Sequence, residues 1–269
     1  MDAPQRLDLG QGITLAYHRL AAKGEGRRAP GIVFLGGFRS DMTGTKACFI
    51  EDWARARGRA CLRFDYRGHG ASSGDFAALA ISDWTDDAEA AVTRLTEGPQ
   101  ILVGSSMGGW IALLLARRMP ERIAGIVGIA AAPDFTESMW AEMSAEEQEA
   151  LILRGRIEQP SDYSDEPYLI TRRLIEDGRR NLVLTAPLVL PFPLRLLQGT
   201  ADRDVPVTVA LRTLEHVTCP DAQLTLVKGA DHRFSGEREL AILGATLEEV
   251  SAAAQEAARA GAATPMVAS

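Results

Sequence analysis

The chain has 269 residues, 46% of them hydrophobic, which suits one α/β domain with a large core and excludes a disordered polypeptide. A formal net charge of −7 argues against nucleic acid or an anionic membrane as the main partner and reads as a source of solubility. Three scattered cysteines, Cys48, Cys61 and Cys219, lack zinc-type spacing, so reduced, mostly buried thiols are expected.

The N-terminus, MDAPQRLDLGQG, has neither a basic segment nor an apolar run, so no secretion signal is read there. No apolar stretch approaches the ~20 residues that a bilayer span needs, and a cytoplasmic protein without integral membrane association is expected. Apolar and β-branched runs at residues 31–35, 60–64, 101–103, 123–130, 194–197 and 224–227 predict strands. Helical patterns separate them. Ile81, Trp84, Ala88, Ala91 and Leu95 share one face, with Ser82 as the expected N-cap and Gly98-Pro99 as the stop. A second helical run covers Met107–Arg118, and a third carries Leu240, Leu243, Leu247 and Val250 at helical spacing. Continuous apolar strands alternating with helices imply a mostly parallel sheet covered on both faces, the α/β class.

The alternation breaks once. Residues 132–190 look helical, contain no clear strand, and read as a small helical cap inserted over the carboxyl edge of the sheet. Any one apolar residue there could simply pack the cap, Tyr163, Ile152, Leu174 and Ile175 among them. The insert as a whole is expected to roof a pocket, with Met139, Trp140, Met143, Leu151 and Tyr168 as its lining. Residues 1–250 are read as one domain, and the alanine-rich residues 251–269 as a frayed helix end passing into disorder.

The stretch Gly104-Ser105-Ser106-Met107-Gly108 fits G-x-S-x-G between a predicted strand and a predicted helix, the setting of a nucleophile elbow. Positions two before and two after the nucleophile must be small. Gly104 and Gly108 meet that need around Ser106, whereas centring on Ser105 would put Val103 and Met107 there. A serine hydroxyl needs a base. Of the four histidines, His18 lies in a strand-like stretch, His69 in a glycine-rich turn and His216 at a helix end. His232 follows the last predicted strand, where the order Ser…Asp…His puts the base. Asp202, just past the strand at 194–197, is the expected acid, with Asp204, Asp231 and Asp134 as competitors. Backbone N–H groups of Met107 and of Phe38, in Gly36-Gly37-Phe38-Arg39-Ser40, are the expected oxyanion donors. The segment Asp65–Ser72 reads as a structural turn, with Asp65 and Arg67 holding loops near the site.

These motifs, in this order, resemble the serine α/β-hydrolase superfamily. The segments Ser40-Asp41-Met42-Thr43-Gly44-Thr45-Lys46-Ala47, residues 98–110 and Asp231-His232-Arg233 resemble, within it, the mitochondrial palmitoyl-protein thioesterase and acyl-glucuronide esterase family, over about residues 10–250. Where many hydrolases have His-Gly at the oxyanion loop this chain has Gly36-Gly37, which leaves the main-chain donors intact. The resemblance implies an α/β-hydrolase fold, a Ser106, Asp202 and His232 triad, and thioesters or activated esters with a hydrophobic acyl group as substrates, acylated protein among them. It implies no metal and no cofactor. The short N-terminus and the Ala/Arg-rich composition suggest a bacterial relative. Short-chain carboxylesterase, perhydrolase or acyltransferase chemistry on the same triad stays open. A non-catalytic binding protein is disfavoured, because a binder has no need of all three side chains.

Overall fold

The computed structural model describes residues 3–159 and 168–263, so Tyr163 and residues 264–269 lie outside the described residues. Two antiparallel strands begin the chain, β1 (Gln5–Gly10) and β2 (Ile13–Leu20). An alternating run follows: β3 (Gly31–Leu35), α1 (Thr45–Ala56), β4 (Cys61–Phe64), α2 (Ile81–Leu95), β5 (Gln100–Ser105), α3 (Met107–Arg118) and β6 (Ile123–Ile129). The insert holds α4 (Phe135–Glu142), α5 (Ala145–Arg154), β7 (Arg156–Gln159), β8 (Tyr168–Thr171) and α6 (Arg172–Arg180). The chain then passes through β9 (Leu188–Val189), β10 (Leu194–Gly199), α7 (Val207–His216), β11 (Val217–Thr218), β12 (Ala222–Val227) and α8 (Glu237–Ala263).

The main sheet has eight strands in the order β1-β2-β4-β3-β5-β6-β10-β12. β2 is antiparallel to both neighbours, and every pair from β4 onward is parallel. The strand order explains where a ligand can enter. From β3 the chain crosses to β4 on one side, and from β5 it crosses to β6 on the other. The loops leaving β3 and β5 therefore diverge and open a crevice above the carboxyl ends of these strands.

Both faces of the sheet are sealed, as side-chain alternation requires. Val33, Leu35 and Leu102 point into the core under α2 and α3, where Trp84 and Trp110 are fully buried. Ile32, Phe34, Ile101 and Val103 point into the opposite core, under α1 and α8.

Two sequence expectations need correction. First, the insert is not purely helical. β7 and β8 pair antiparallel, with Ile157 opposite Ile170, and Ile170 joins Met143, Leu151 and Ile175 in a small core of the cap's own. Second, Ser82 does not cap α2. Ala80 occupies the N-cap position, and the Asp83 carboxylate accepts from the Ala80 N–H. Ser82 instead donates its N–H and its hydroxyl to Asp177 of α6, at 2.7 and 2.8 Å. An aspartate of the insert thus satisfies the first turn of a helix in the body. The last helix, α8, continues past Val250. It runs on to Ala263, because Ser251 and Ala254 continue its buried stripe. Among the described residues, no helix is long and apolar enough to cross a membrane.

Candidate active site

Ser106 stands at the junction of β5 and α3 with φ 53° and ψ −118°, a conformation that L residues rarely adopt and that the surroundings must enforce. They do so through the backbone. The Ser106 N–H donates to the Ile129 carbonyl at 2.9 Å, and the Ser106 carbonyl accepts from Gly109 and Ala132. The two flanking glycines are sterically obligatory. A Cβ on Gly104 would lie 2.3 Å from the Gly108 carbonyl oxygen, and one on Gly108 would lie 2.0 Å from that of Leu35. Ser105 ends β5 and is buried. Ser106 is partly exposed on the wall of a cavity of about 1270 Å³.

His232 lies on the rim of the same cavity, in the loop after β12. Its Nδ1 is 3.0 Å from Asp202 Oδ2 and 3.2 Å from Oδ1. A carboxylate only accepts, so the proton sits on Nδ1, and the lone pair of Nε2 remains available to a hydroxyl. The Asp202 side chain is 0% exposed, whereas His232 is 19% exposed. Burial pushes the Asp202 carboxyl up. Hydrogen bonds from His232, the Val205 N–H and Gln198 outweigh that, and hold it below the usual carboxylate range. Among the described residues, no hydrogen bond joins Ser106 Oγ to His232 Nε2.

The competing residues are placed differently. Asp204 is exposed, with Oδ2 4.0 Å from His232 Nδ1. Asp231 accepts from the Phe234 N–H. Asp134 is buried and accepts from the N–H groups of Val183 and Leu184, at 2.8 and 3.0 Å. His216 Nε2 lies 2.6 Å from the Ala186 carbonyl oxygen, at the end of α7. Among the described residues, Asp202, Asp204 and His232 bring potential ligand atoms within 4.8 Å of one another.

The loop after β3 reaches the serine from the other side. A Cβ on Gly37 would sit 3.4 Å from Ser106 Cβ, so the glycine lets the main chain approach closely. Among the described residues, neither the Phe38 nor the Met107 N–H donates to a protein acceptor. The Phe38 ring anchors this loop edge-on against Phe76, Trp84 and Phe135, with centroids 4.9–5.9 Å apart. His69 supports it too, a role the sequence did not disclose. Its Nε2 accepts from the Arg39 N–H at 3.1 Å, and its Nδ1 faces the Arg67 carbonyl. Asp65 accepts from the N–H groups of Met42 and Ala71. Arg67 is paired with the buried Asp87.

Of the five expected cap residues, Met139 and Tyr168 line the cavity, together with Phe135. The other three do not. Met143 and Leu151 are buried in the cap's own core, and Trp140 packs against it, with the Arg179 guanidinium 4.9 Å from its ring centroid. A helix presents two sides, and Phe135, Ser138, Met139 and Glu142 of α4 fall on the side toward the cavity, whereas Trp140 falls on the other. The cavity is also more polar than expected, since Arg39, Lys46, Arg203, Arg212 and Arg233 share its wall.

Comparison with known proteins finds relatives over most of the chain. Residues 32–265 match the alpha/beta hydrolase family. The chain is 35% identical over 238 residues to the mitochondrial palmitoyl-protein thioesterase ABHD10 of Rattus norvegicus, covering 88% of this chain and 78% of the relative. Its structure superposes on that of a putative hydrolase from Agrobacterium vitis S4 with a TM-score of 0.87 and 39% identity over 92% of this chain and 97% of the other. Mouse alpha/beta hydrolase domain-containing protein 10 superposes with a TM-score of 0.85 and 33% identity, over 93% and 98% of the two chains.

Proposed function

Because the chain belongs to the alpha/beta hydrolase family, we propose that it is a serine hydrolase of carboxylic esters or thioesters with a hydrophobic acyl group, acting through an acyl-enzyme on Ser106. The observation that carries this reading is the hydrogen bond between His232 and the fully buried Asp202, at the rim of the cavity that the strained Ser106 also lines.

In this mechanism Ser106 Oγ attacks the acyl carbonyl while His232 Nε2 accepts its proton. Asp202 keeps the imidazole in the productive tautomer and stabilises the imidazolium. The N–H groups of Phe38 and Met107 receive the negative charge on the carbonyl oxygen; Met107 does so from the N-terminus of α3, where the helix dipole adds to the effect. His232 then gives its proton to the leaving alkoxide or thiolate. Water, deprotonated by the same nitrogen, releases the acid and restores the serine. Phe135, Met139 and Tyr168 offer the acyl chain an apolar wall. The thioesterase activity named for the relatives makes thioesters the leading substrate class.

Each methylene buried along that wall contributes about 0.8 kcal/mol, or roughly a fourfold gain in kcat/KM per carbon when the transition state keeps the contact. Measured on acetyl, butyryl and octanoyl esters and thioesters below their micelle concentrations, kcat/KM should climb with chain length until the wall is covered. A decline from acetyl onward would replace this reading with a short-chain carboxylesterase.

A further inference from the structure

The segment Ser40–Ala47 stands out in the sequence, yet the mechanism above uses none of its side chains. Lys46 is the exception in its placement. It is the second residue of α1, in a first turn that carries no acidic residue. A cation there faces the positive end of the helix dipole, so helix stability does not account for it. Its ammonium crosses the cavity wall and donates to the carbonyl of Arg233, 187 residues away in sequence and next to His232.

The loop that bears His232 is under tension where this contact is made. Phe234 takes φ 47° with its side chain fully buried, and its N–H turns back to Asp231, to the carboxylate at 3.2 Å and the carbonyl at 3.3 Å. Asp202 holds the His232 ring from one side. The carbonyl of Arg233 is the main-chain point between the ring and the strained residue, and Lys46 grips it. Burial draws the Lys46 ammonium down to about 8, Asp231 attracts it and the Arg233 charge opposes it, so at neutral pH it is still mostly protonated.

We propose that Lys46 is a positioning residue for His232, fixing the loop so that the ring nitrogen meets the hydroxyl of Ser106. This rests on the serine-hydrolase reading above. A substrate-binding lysine would act on KM. A lysine that only fastened a surface loop would act on stability. A lysine that holds the base acts on kcat, because a misplacement of about 1 Å in the reacting groups costs on the order of a hundredfold.

The test measures kcat, KM and melting temperature for Lys46→Met and Lys46→Arg on an octanoyl thioester, with Ser106→Ala alongside. Lys46→Met should lower kcat by tenfold or more, on the order expected for such a misplacement, with KM and melting temperature little changed. Lys46→Arg, which keeps the charge and the N–H donors, should restore most of kcat. Full kcat in folded Lys46→Met overturns the proposal. So does a rise in KM at constant kcat, or a loss that Arg does not rescue. If Lys46→Met fails to fold, Lys46→Gln takes its place, with the same reduced kcat expected and full kcat again contradicting. Activity surviving in Ser106→Ala would defeat the serine reading itself. A dead Ser106→Ala beside a fully active Lys46→Met would defeat only the role given to Lys46.

Discussion

Ser106 and its two glycines show how much chemistry a few backbone collisions can encode. Gly104, Gly108 and the carbonyl of Leu35 meet so closely that no side chain fits at either position. The spacing G-x-S-x-G is therefore a steric statement, and it distinguishes Ser106 from Ser105 without any structure. The candidate acid is legible for a related reason: in the proposed triad it follows the strand beside the loop that bears His232. The structure separates Asp202 from its neighbours by burial and by four donors: His232, Gln198 and the N–H groups of Asp204 and Val205. Asp202→Asn should reduce kcat by about four orders of magnitude, by presenting an amide N–H to Nδ1 and favouring the wrong tautomer. Asp204→Asn should cost far less. Asp134→Asn should lower stability and leave turnover near the wild-type value, since Asp134 accepts from the N–H groups of Val183 and Leu184. Steady-state kinetics of the three variants would expose a misassigned acid if Asp134→Asn proved the crippling change. His69 and Lys46 were not legible. Their partners, Arg39 and Arg233, are 30 and 187 residues distant, so local sequence does not reveal these contacts.

At the scale of elements, strands and body helices were readable because each has a long apolar face. The insert was not, because its elements are short and bury only a few side chains. β7 and β8 span four residues each, too few for a period of two to stand out. The stripe Met139, Trp140 and Met143 reads as helical, but sequence does not say which of its sides meets the cavity. The insert is tied to the body through Asp177, which is buried and accepts from Ser82 and Asn181. Asp177→Ala should destabilise the protein by about 1–3 kcal/mol, leaving buried donors unpaired. Urea unfolding would measure it, and an unchanged midpoint would count against this anchor. The turn after β4 makes a pH prediction. Burial draws His69 down to about 4, against the Arg67 carbonyl, which raises it, and with the Arg39 charge, which lowers it further. Unfolded, it titrates at about 6.5. Between these values the unfolded chain binds the additional proton, so the His69 contribution is complete above about pH 6.5 and is lost as the pH falls toward 4. Asp87 works in the opposite sense, since burial raises its folded value to about 6 despite its bonds to Arg67. Comparing wild type with His69→Gln cancels the Asp87 effect. The difference in unfolding free energy should shrink between about pH 7 and 4.5, and a constant difference would refute the neutral, buried assignment of His69.

For the molecule as a whole, the topology brings the site together. Residues from the loops after β3, β5, β10 and β12 converge above the carboxyl edge of one sheet, and the insert between β6 and β10 contributes Phe135, Met139 and Tyr168 to the far wall. The sequence conveyed this convergence through the order of its motifs. It did not convey the polar half of the cavity, because Arg39, Arg203, Arg212 and Arg233 lie on separate loops and an α-helix whose approach only the fold determines. The most direct measurement of the central claim is to trap the acyl-enzyme. Purified protein is mixed with an octanoyl ester, quenched in acid within the first turnover and mapped by peptide mass. The account predicts one octanoyl adduct on Ser106, retained in Ser105→Ala and absent in Ser106→Ala. An adduct elsewhere, or one that persists in Ser106→Ala, would contradict it.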